Sequence, residues 1–137
     1  MDYSDFMGAL AVWREARGEC ADAKVGVARV IVNRARDGKR WPNMIEDVVT
    51  QKGQFSSFAI GDPNATKFPS KRIPADWAAW TESIHAIQIA LTHGAPDPVD
   101  GATFYHDSSI PRPPGWKKLG FTKQIGHLLF YGIDKKI

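Results

Sequence analysis

The sequence predicts an α+β fold that is mainly α, on two observations. Apolar residues recur at three- and four-residue spacings through most of the chain up to His93, and the last third shortens into β-rich runs around a Pro-rich loop. Residues 4–17 read as the first helix: Phe6, Leu10 and Trp13 lie on one face, Ser4 serves as N-cap, and Gly18 is a stop. Glu15 then falls in the last turn, close to the apolar stripe. Residues 22–36 read as a buried central helix. Val25, Val27, Ala28, Val30, Ile31 and Val32 suggest a strand by β-branching alone, but length, Ala content and flanking Arg residues favour a helix apolar on nearly every side. Asn43, with Glu46 three residues on, has the pattern of a capping box for a short helix whose inner face is Met44, Ile45, Val48 and Val49.

From Gln51 to Pro74 the chain is rich in Gly, Pro, Ser and Lys without a period, and a connection that long is usually a functional loop. The clearest helix covers residues 76–93, where Trp77, Trp80, Ile84, Ile87 and Leu91 form a strict stripe closed by Gly94 and Pro96; both tryptophans are assigned to the core. Residues 102–106 and 125–131 read as two short strands forming an antiparallel pair, separated by Pro111-Arg112-Pro113-Pro114-Gly115-Trp116. No repeat or linker divides the chain, so 137 residues are read as one domain, 1–137.

Composition narrows the partners. Hydrophobic residues at 43% and charged residues at 24% are globular values, against a disordered or fibrous chain. Five tryptophans, at 13, 41, 77, 80 and 116, exceed what a small core needs, and a sugar-binding cleft is another home for flat rings. The net charge of +3 and pI near 9.1 suit an acidic partner such as the anionic bacterial envelope. The basic knots are Lys67/Lys71/Arg72, Lys117/Lys118/Lys123 and Lys135/Lys136. No helix carries the dense basic face of a DNA reader, so nucleic acid is not expected, although the pI leaves a basic binding module open. Met1-Asp2-Tyr3-Ser4-Asp5 is acidic where a signal peptide is basic, and no apolar run is long enough to span a membrane.

Three chemistries compete for the polar residues. Glycoside cleavage needs a carboxylic acid that keeps its proton, and Glu15, at an apolar edge and a helix C-terminus, is placed for it. On residue chemistry alone, an ion pair with Arg14 or Arg17 is the commoner role for such a glutamate. Glu19, four residues on, is a possible secondary acid if the helix runs through Gly18, and otherwise a structural residue at the next helix start. Cys20, the single cysteine, precedes a helix N-terminus, where a peptidase nucleophile could use His85, His106 or His127 as base. A zinc amidase would need His106, His127 and a distant acid to converge. His85 and His93 are too far apart on one helix to share an ion, and there is no HExxH or CxxC, so no metal and no cofactor are expected.

The order of segments discriminates further. Glu15-Ala16-Arg17-Gly18-Glu19, then Val27 to Arg34, Trp41-Pro42-Asn43, Ile45 to Val49, Gln54-Phe55-Ser56, Asp97-Pro98, Gly101 to His106 and Gln124-Ile125-Gly126-His127 with Phe130-Tyr131 together resemble the SleB/CwlJ family of cell wall hydrolases, the spore-cortex-lytic type. The resemblance runs from about residue 8 to residue 131. It implies a lysozyme-like or lytic-transglycosylase-like catalytic domain that cleaves between N-acetylmuramic acid and N-acetylglucosamine in peptidoglycan glycan strands. The implied catalytic acid/base is Glu15, and no metal or cofactor is needed. It also implies that Gln54, Phe55 and Ser56 line the cleft, that Thr103 and Tyr105 flank the acid, and that Gln124 and His127 lie near the second strand.

The chain departs from that family pattern at Arg14, where many relatives carry Gly, at Ser57-Phe58, where a Trp often follows, and at Phe104, which takes a His-like position. With no signal sequence or wall-binding repeat, it reads as a phage or prophage endolysin-like catalytic domain. Such a chain is made in the cytoplasm, reaches the wall by a holin-like route and acts as a monomer. A peptidoglycan amidase or cysteine peptidase, or a non-catalytic basic module, is the alternative reading.

Overall fold

The structure, a computed structural model, describes residues 1–133; Lys135 and Lys136 lie outside the described residues. Helix α1 (Tyr3–Ala16) starts at Asp2, not at Ser4. The Asp2 carboxylate accepts from the Asp5 amide at 2.9 Å, and Asp5 returns a bond to the Asp2 amide in a reciprocal capping box. Ser4 instead donates to the Glu46 carboxylate at 2.8 Å and ties α1 to helix α3 (Ile45–Thr50). That use of Glu46 replaces the capping box expected at Asn43: Met44 holds the N-cap position of α3 without a side-chain bond, and Asn43 is exposed. Ile45, Val48 and Val49 of α3 turn inward as the pattern predicts, while Met44 is exposed.

Helix α2 (Ala21–Asp37) follows a break at Gly18, with Gly38 closing it in the left-handed region (φ 81°). Its apolar faces are buried from Ala23 to Val32, and Lys24 reaches past the core to pair with Glu82 at 2.5 Å. Helix α4 (Pro74–Leu91) begins two residues earlier than the stripe suggests, since Pro74 sits in its first turn where no amide hydrogen is needed. It packs against both α1 and α2. Trp80 is buried against Phe6, whereas Trp77 is half-buried at the core margin under Lys71. No helix among the described residues is long and apolar enough to cross a membrane.

The C-terminal third forms three strands where two were expected. Strands β1 (Phe104–Asp107), β2 (Leu119–Ile125) and β3 (Leu128–Ile133) make an antiparallel sheet in the order β1-β3-β2. The run 125–131, read as one strand, is in fact a hairpin corner. Ile125 pairs with Leu128, so Gly126 and His127 form a two-residue turn, with Gly126 at φ 56°. The register of β2 slips between Phe121 and Lys123, and this irregular, half-exposed edge explains why its alternation is weak in the sequence.

The sheet meets the helices through β3. Phe130 is fully buried and lies on α2 where Gly26 has no side chain; a Cβ there would stand 2.7 Å from the ring Cζ. Gly26→Ala is therefore expected to lower stability by about 1–3 kcal/mol by overpacking. Gly115→Ala, with open space around it, should change little. Urea midpoints of the two variants, compared with the parent chain, check this.

Candidate active site

Glu15 lies in the last turn of α1, half-buried, and its Oε1 accepts a hydrogen bond from the Tyr105 hydroxyl at 3.2 Å. Ninety positions separate the two residues, and β1 makes the connection. Tyr105 pairs with Phe130 across β1 and β3, and Phe130 is the ring seated on α2. Burial pushes the Tyr105 phenol well above its usual range, and the adjacent Glu15 carboxylate pushes the same way while Arg34 opposes it. Tyr105 is thus a neutral donor that holds one carboxyl oxygen, and Oε2 has no donor among the described residues.

Arg34, on α2, is the cation of the site and is buried at 5% exposure. Its Nε donates to the Thr103 carbonyl at 2.7 Å and its Nη1 to Gln54 Oε1 at 3.2 Å. The rings of Trp41, Phe55 and Phe104 each stand about 5 Å from the guanidinium carbon. No carboxylate pairs with it among the described residues, and burial lowers it to about 10, partly offset by Tyr105. It still carries its charge at neutral pH.

These groups wall a cavity of about 300 Å³. Glu15 and Tyr105 stand on one side, and Gly53, Gln54 and Phe55 come from the long loop; Arg34, Phe104 and Trp116 complete it. Phe104 stands edge-on between Trp41 (5.7 Å) and Trp116 (5.3 Å), so two half-buried indoles border an aromatic row. Glu15 is the single carboxylate in the lining among the described residues. A lone acid held by a neutral donor, next to aromatic faces and a buried cation, can give a proton to a bound ether oxygen and take one back.

The loop wall is fastened from behind by the residue preceding Glu15. Arg14, 7% exposed, donates to the carbonyls of Lys67 (3.1 Å), Ala65 (3.1 Å) and Ser57 (3.4 Å). Its guanidinium lies between Phe58 and Phe68, at 4.7 and 4.9 Å, and Arg17 adds a bond to Asn64. The connection read as an irregular loop thus carries two 3-10 turns, Ser56–Phe58 and Pro63–Thr66, clasped to α1.

Of the residues expected near the acid, Gln54, Phe55 and Tyr105 line the Glu15 cavity. Ser56 is exposed in a 3-10 turn outside it. Thr103 borders a different recess with Asn33, Arg36 and Gly101, because its backbone carbonyl, not its side chain, faces Arg34. Gln124 and His127 sit at the β2–β3 corner, away from this lining. Gln124 bonds the Gly126 carbonyl, and His127 stands 3.4 Å from Glu19. Glu19 is therefore not paired with Glu15 across one helix face, since α1 has ended before it.

Arg34, Trp41, Phe104 and Trp116 were not assigned to the site from the sequence. The surplus of tryptophans was the available signal for two of them. The nucleophile alternative finds no support in hydrogen bonding: Cys20 is exposed and bonded to no histidine. His106 donates from Nδ1 to the Asp107 carbonyl and shares a bond with Tyr131 at Nε2. His85 and His93 are exposed.

A model of the cell wall hydrolase family matches residues 18–131, beginning three positions after Glu15. Two solved structures are similar over almost the whole chain. The catalytic domain of the germination-specific lytic transglycosylase SleB from Bacillus anthracis is 24% identical, with 96% of each chain covered and a TM-score of 0.72. The catalytic domain of the Bacillus cereus SleB protein is 25% identical, covering 95% of this chain and 91% of that one, with a TM-score of 0.69. No curated protein sequence matches the chain.

Two outcomes test this architecture. Arg14→Met strips three carbonyls of their donor, and the loss should be at least about 1–3 kcal/mol. It should also speed hydrogen exchange across residues 57–67; unchanged exchange there would contradict the clasp. Tyr105 keeps its proton to higher pH folded than unfolded, so its contribution to stability is full below about pH 10 and is lost as pH rises beyond. Tyr105→Phe should flatten the fall in Tm between about pH 9 and 11, and an equal slope in both proteins would contradict the assignment.

Proposed function

The chain belongs to the cell wall hydrolase family, and we propose that it cleaves the bond between N-acetylmuramic acid and N-acetylglucosamine in peptidoglycan glycan strands, with Glu15 as its single general acid/base. The observation that carries this reading is the Tyr105–Glu15 hydrogen bond at the edge of a cavity that has no second carboxylate among the described residues. An inverting hydrolase places a second carboxylate to activate water, and a retaining one places it as nucleophile. Among the described residues lining the cavity, no further carboxylate fills either position.

A lytic transglycosylase route needs only one acid. The protonated Glu15 carboxyl donates its proton to the glycosidic oxygen as the C1–O bond breaks, leaving the N-acetylglucosamine hydroxyl and an oxocarbenium-like muramoyl unit. The resulting carboxylate then draws the proton from the muramoyl 6-hydroxyl as O6 bonds to C1. The product has a 1,6-anhydro end, no water is consumed, and Glu15 regains its proton. Tyr105 would hold Oε1 through both transfers, and its retained proton makes it a constant donor across the working pH range. Phe104 and Trp116, which line the cavity, would give the sugars apolar contact, with Trp41 packed edge-on against Phe104, while Gln54 would orient polar groups from a side chain already anchored on Arg34. The net positive charge suits the anionic wall.

Glu15→Gln is expected to keep the circular dichroism and urea midpoint of the parent and to lose nearly all lysis of purified sacculi. Cys20→Ser should lyse normally. Mass spectrometry of the released muropeptides should find 1,6-anhydro ends. Reducing ends would replace the internal hydroxyl by water in the second step, and undiminished lysis by Glu15→Gln would remove Glu15 from the chemistry.

A further inference from the structure

The strand register puts three rings in one transverse row across the sheet. Phe104 of β1 pairs with Tyr131 of β3, and Tyr131 pairs in turn with Phe121 of β2, so the three side chains stand on the same face. Neighbouring strands lie about 4.8 Å apart, so the row spans about 10 Å. Its first ring lines the Glu15 cavity. Its middle is covered: Trp116 stands edge-on to Phe104 (5.3 Å) and to Tyr131 (5.5 Å), and the Arg112 guanidinium lies over Tyr131 at 4.7 Å. Arg112 also donates to the carbonyls of Trp116 and Leu119, which straps the Pro-rich loop onto this face. Phe121, the last ring, has no cover of that kind among the described residues. It meets Tyr131 edge-on at 5.7 Å and is 54% exposed.

A recess of about 390 Å³ opens beside Phe121. Gly101, Gly120 and Gly132 lend it backbone without side chains, and Asp100 adds an exposed carboxylate. Strand β2 is at the edge of the sheet, paired only with β3 among the described residues, so its outer amides and carbonyls are open to a ligand. These groups suit a sugar. A pyranose offers a flat C–H face to a ring, and hydroxyls around its edge to a carboxylate and to backbone groups. An apolar protein surface would instead leave Asp100 and the open strand edge unpaired. The site is continuous with the Glu15 cavity through Trp116, which lines that cavity and meets Tyr131.

We propose that Phe121 and the recess beside it form a distal glycan subsite, holding a sugar unit beyond those in the Glu15 cavity; this rests on the glycan-cleaving reading above. The enzyme then binds a long strand more tightly than a fragment that fills the cavity alone. Phe121 acts in binding and not in the chemical step, since its contact is the same before and during bond breaking.

The probes are peptide-free fragments of alternating N-acetylglucosamine and N-acetylmuramic acid, a disaccharide and a hexasaccharide. They are added to the full chain carrying Glu15→Gln, which prevents turnover. Amide chemical shifts are expected to move at residues 53–55 and 104–105 with both fragments, and at residues 120–122 and 132 with the hexasaccharide alone. Phe121→Ser should weaken hexasaccharide binding on the order of 10-fold and leave the disaccharide unchanged. Phe121→Trp should restore it. In the chain that keeps Glu15, Phe121→Ser should raise KM for long strands by a similar factor at unchanged kcat, a split that a folding defect does not produce. Hexasaccharide shifts confined to the Glu15 cavity, or unchanged hexasaccharide affinity in Phe121→Ser, would overturn the proposal. Cleavage of the probe by Glu15→Gln would instead remove the Glu15 assignment and not the subsite.

Discussion

The fold depends on the contact of one aromatic ring with one bare stretch of helix. Phe130 of β3 reaches α2 at Gly26, closer than any residue with a side chain would allow. Arg34, two turns along the same helix, bonds the carbonyl of Thr103 at the start of the first strand. Together they set the distance between sheet and helices, and with it the place of Tyr105, which pairs with Phe130. The acid of α1 meets its phenol donor because the sheet cannot dock elsewhere without losing its central buried ring.

Two buried arginines then shape the cleft, and neither has a carboxylate partner among the described residues. Each is compensated by carbonyl acceptors and aromatic faces, a route that suits guanidinium better than ammonium, since the planar fork can donate in several directions while stacking. Arg14 fixes the loop from below, and Arg34 fixes the side-chain oxygen of Gln54 and the edge of the sheet. Because both are held by backbone carbonyls, the positions of walls and floor are tied to the fold itself and not to flexible surface pairs. Arg14 is also one of the points at which the chain departs from its family pattern, and its role here is to clasp a loop.

Membership of the cell wall hydrolase family and the similarity of the fold to two SleB catalytic domains give the cleft a setting. Among the described residues, the lining holds a single carboxylate, one neutral donor, one cation without a counter-ion and a row of rings.

Much of this was legible in the sequence. The helical stripes of α1, α2 and α4 come from periodic burial, which a linear pattern records directly. Glu15, Gln54, Phe55 and Tyr105 were marked by ordered segments. What the sequence could not carry were relations set by packing. Whether Ser4 caps its own helix or reaches Glu46 depends on which partner lies opposite. Whether residues 125–131 are one strand or a corner depends on β2, whose alternation is blurred by its exposed, irregular edge. Thr103 and Tyr105 lie two positions apart, yet they border different recesses, and Arg34 became the cation of the site only when three rings and a carbonyl closed around it. By itself the sequence determined which segments are helical, which residues are apolar enough to be buried and which acid stands at a helix end. The tertiary structure alone decided which polar groups share a cavity, because that is fixed by contacts between residues as much as ninety positions apart, which no local pattern encodes.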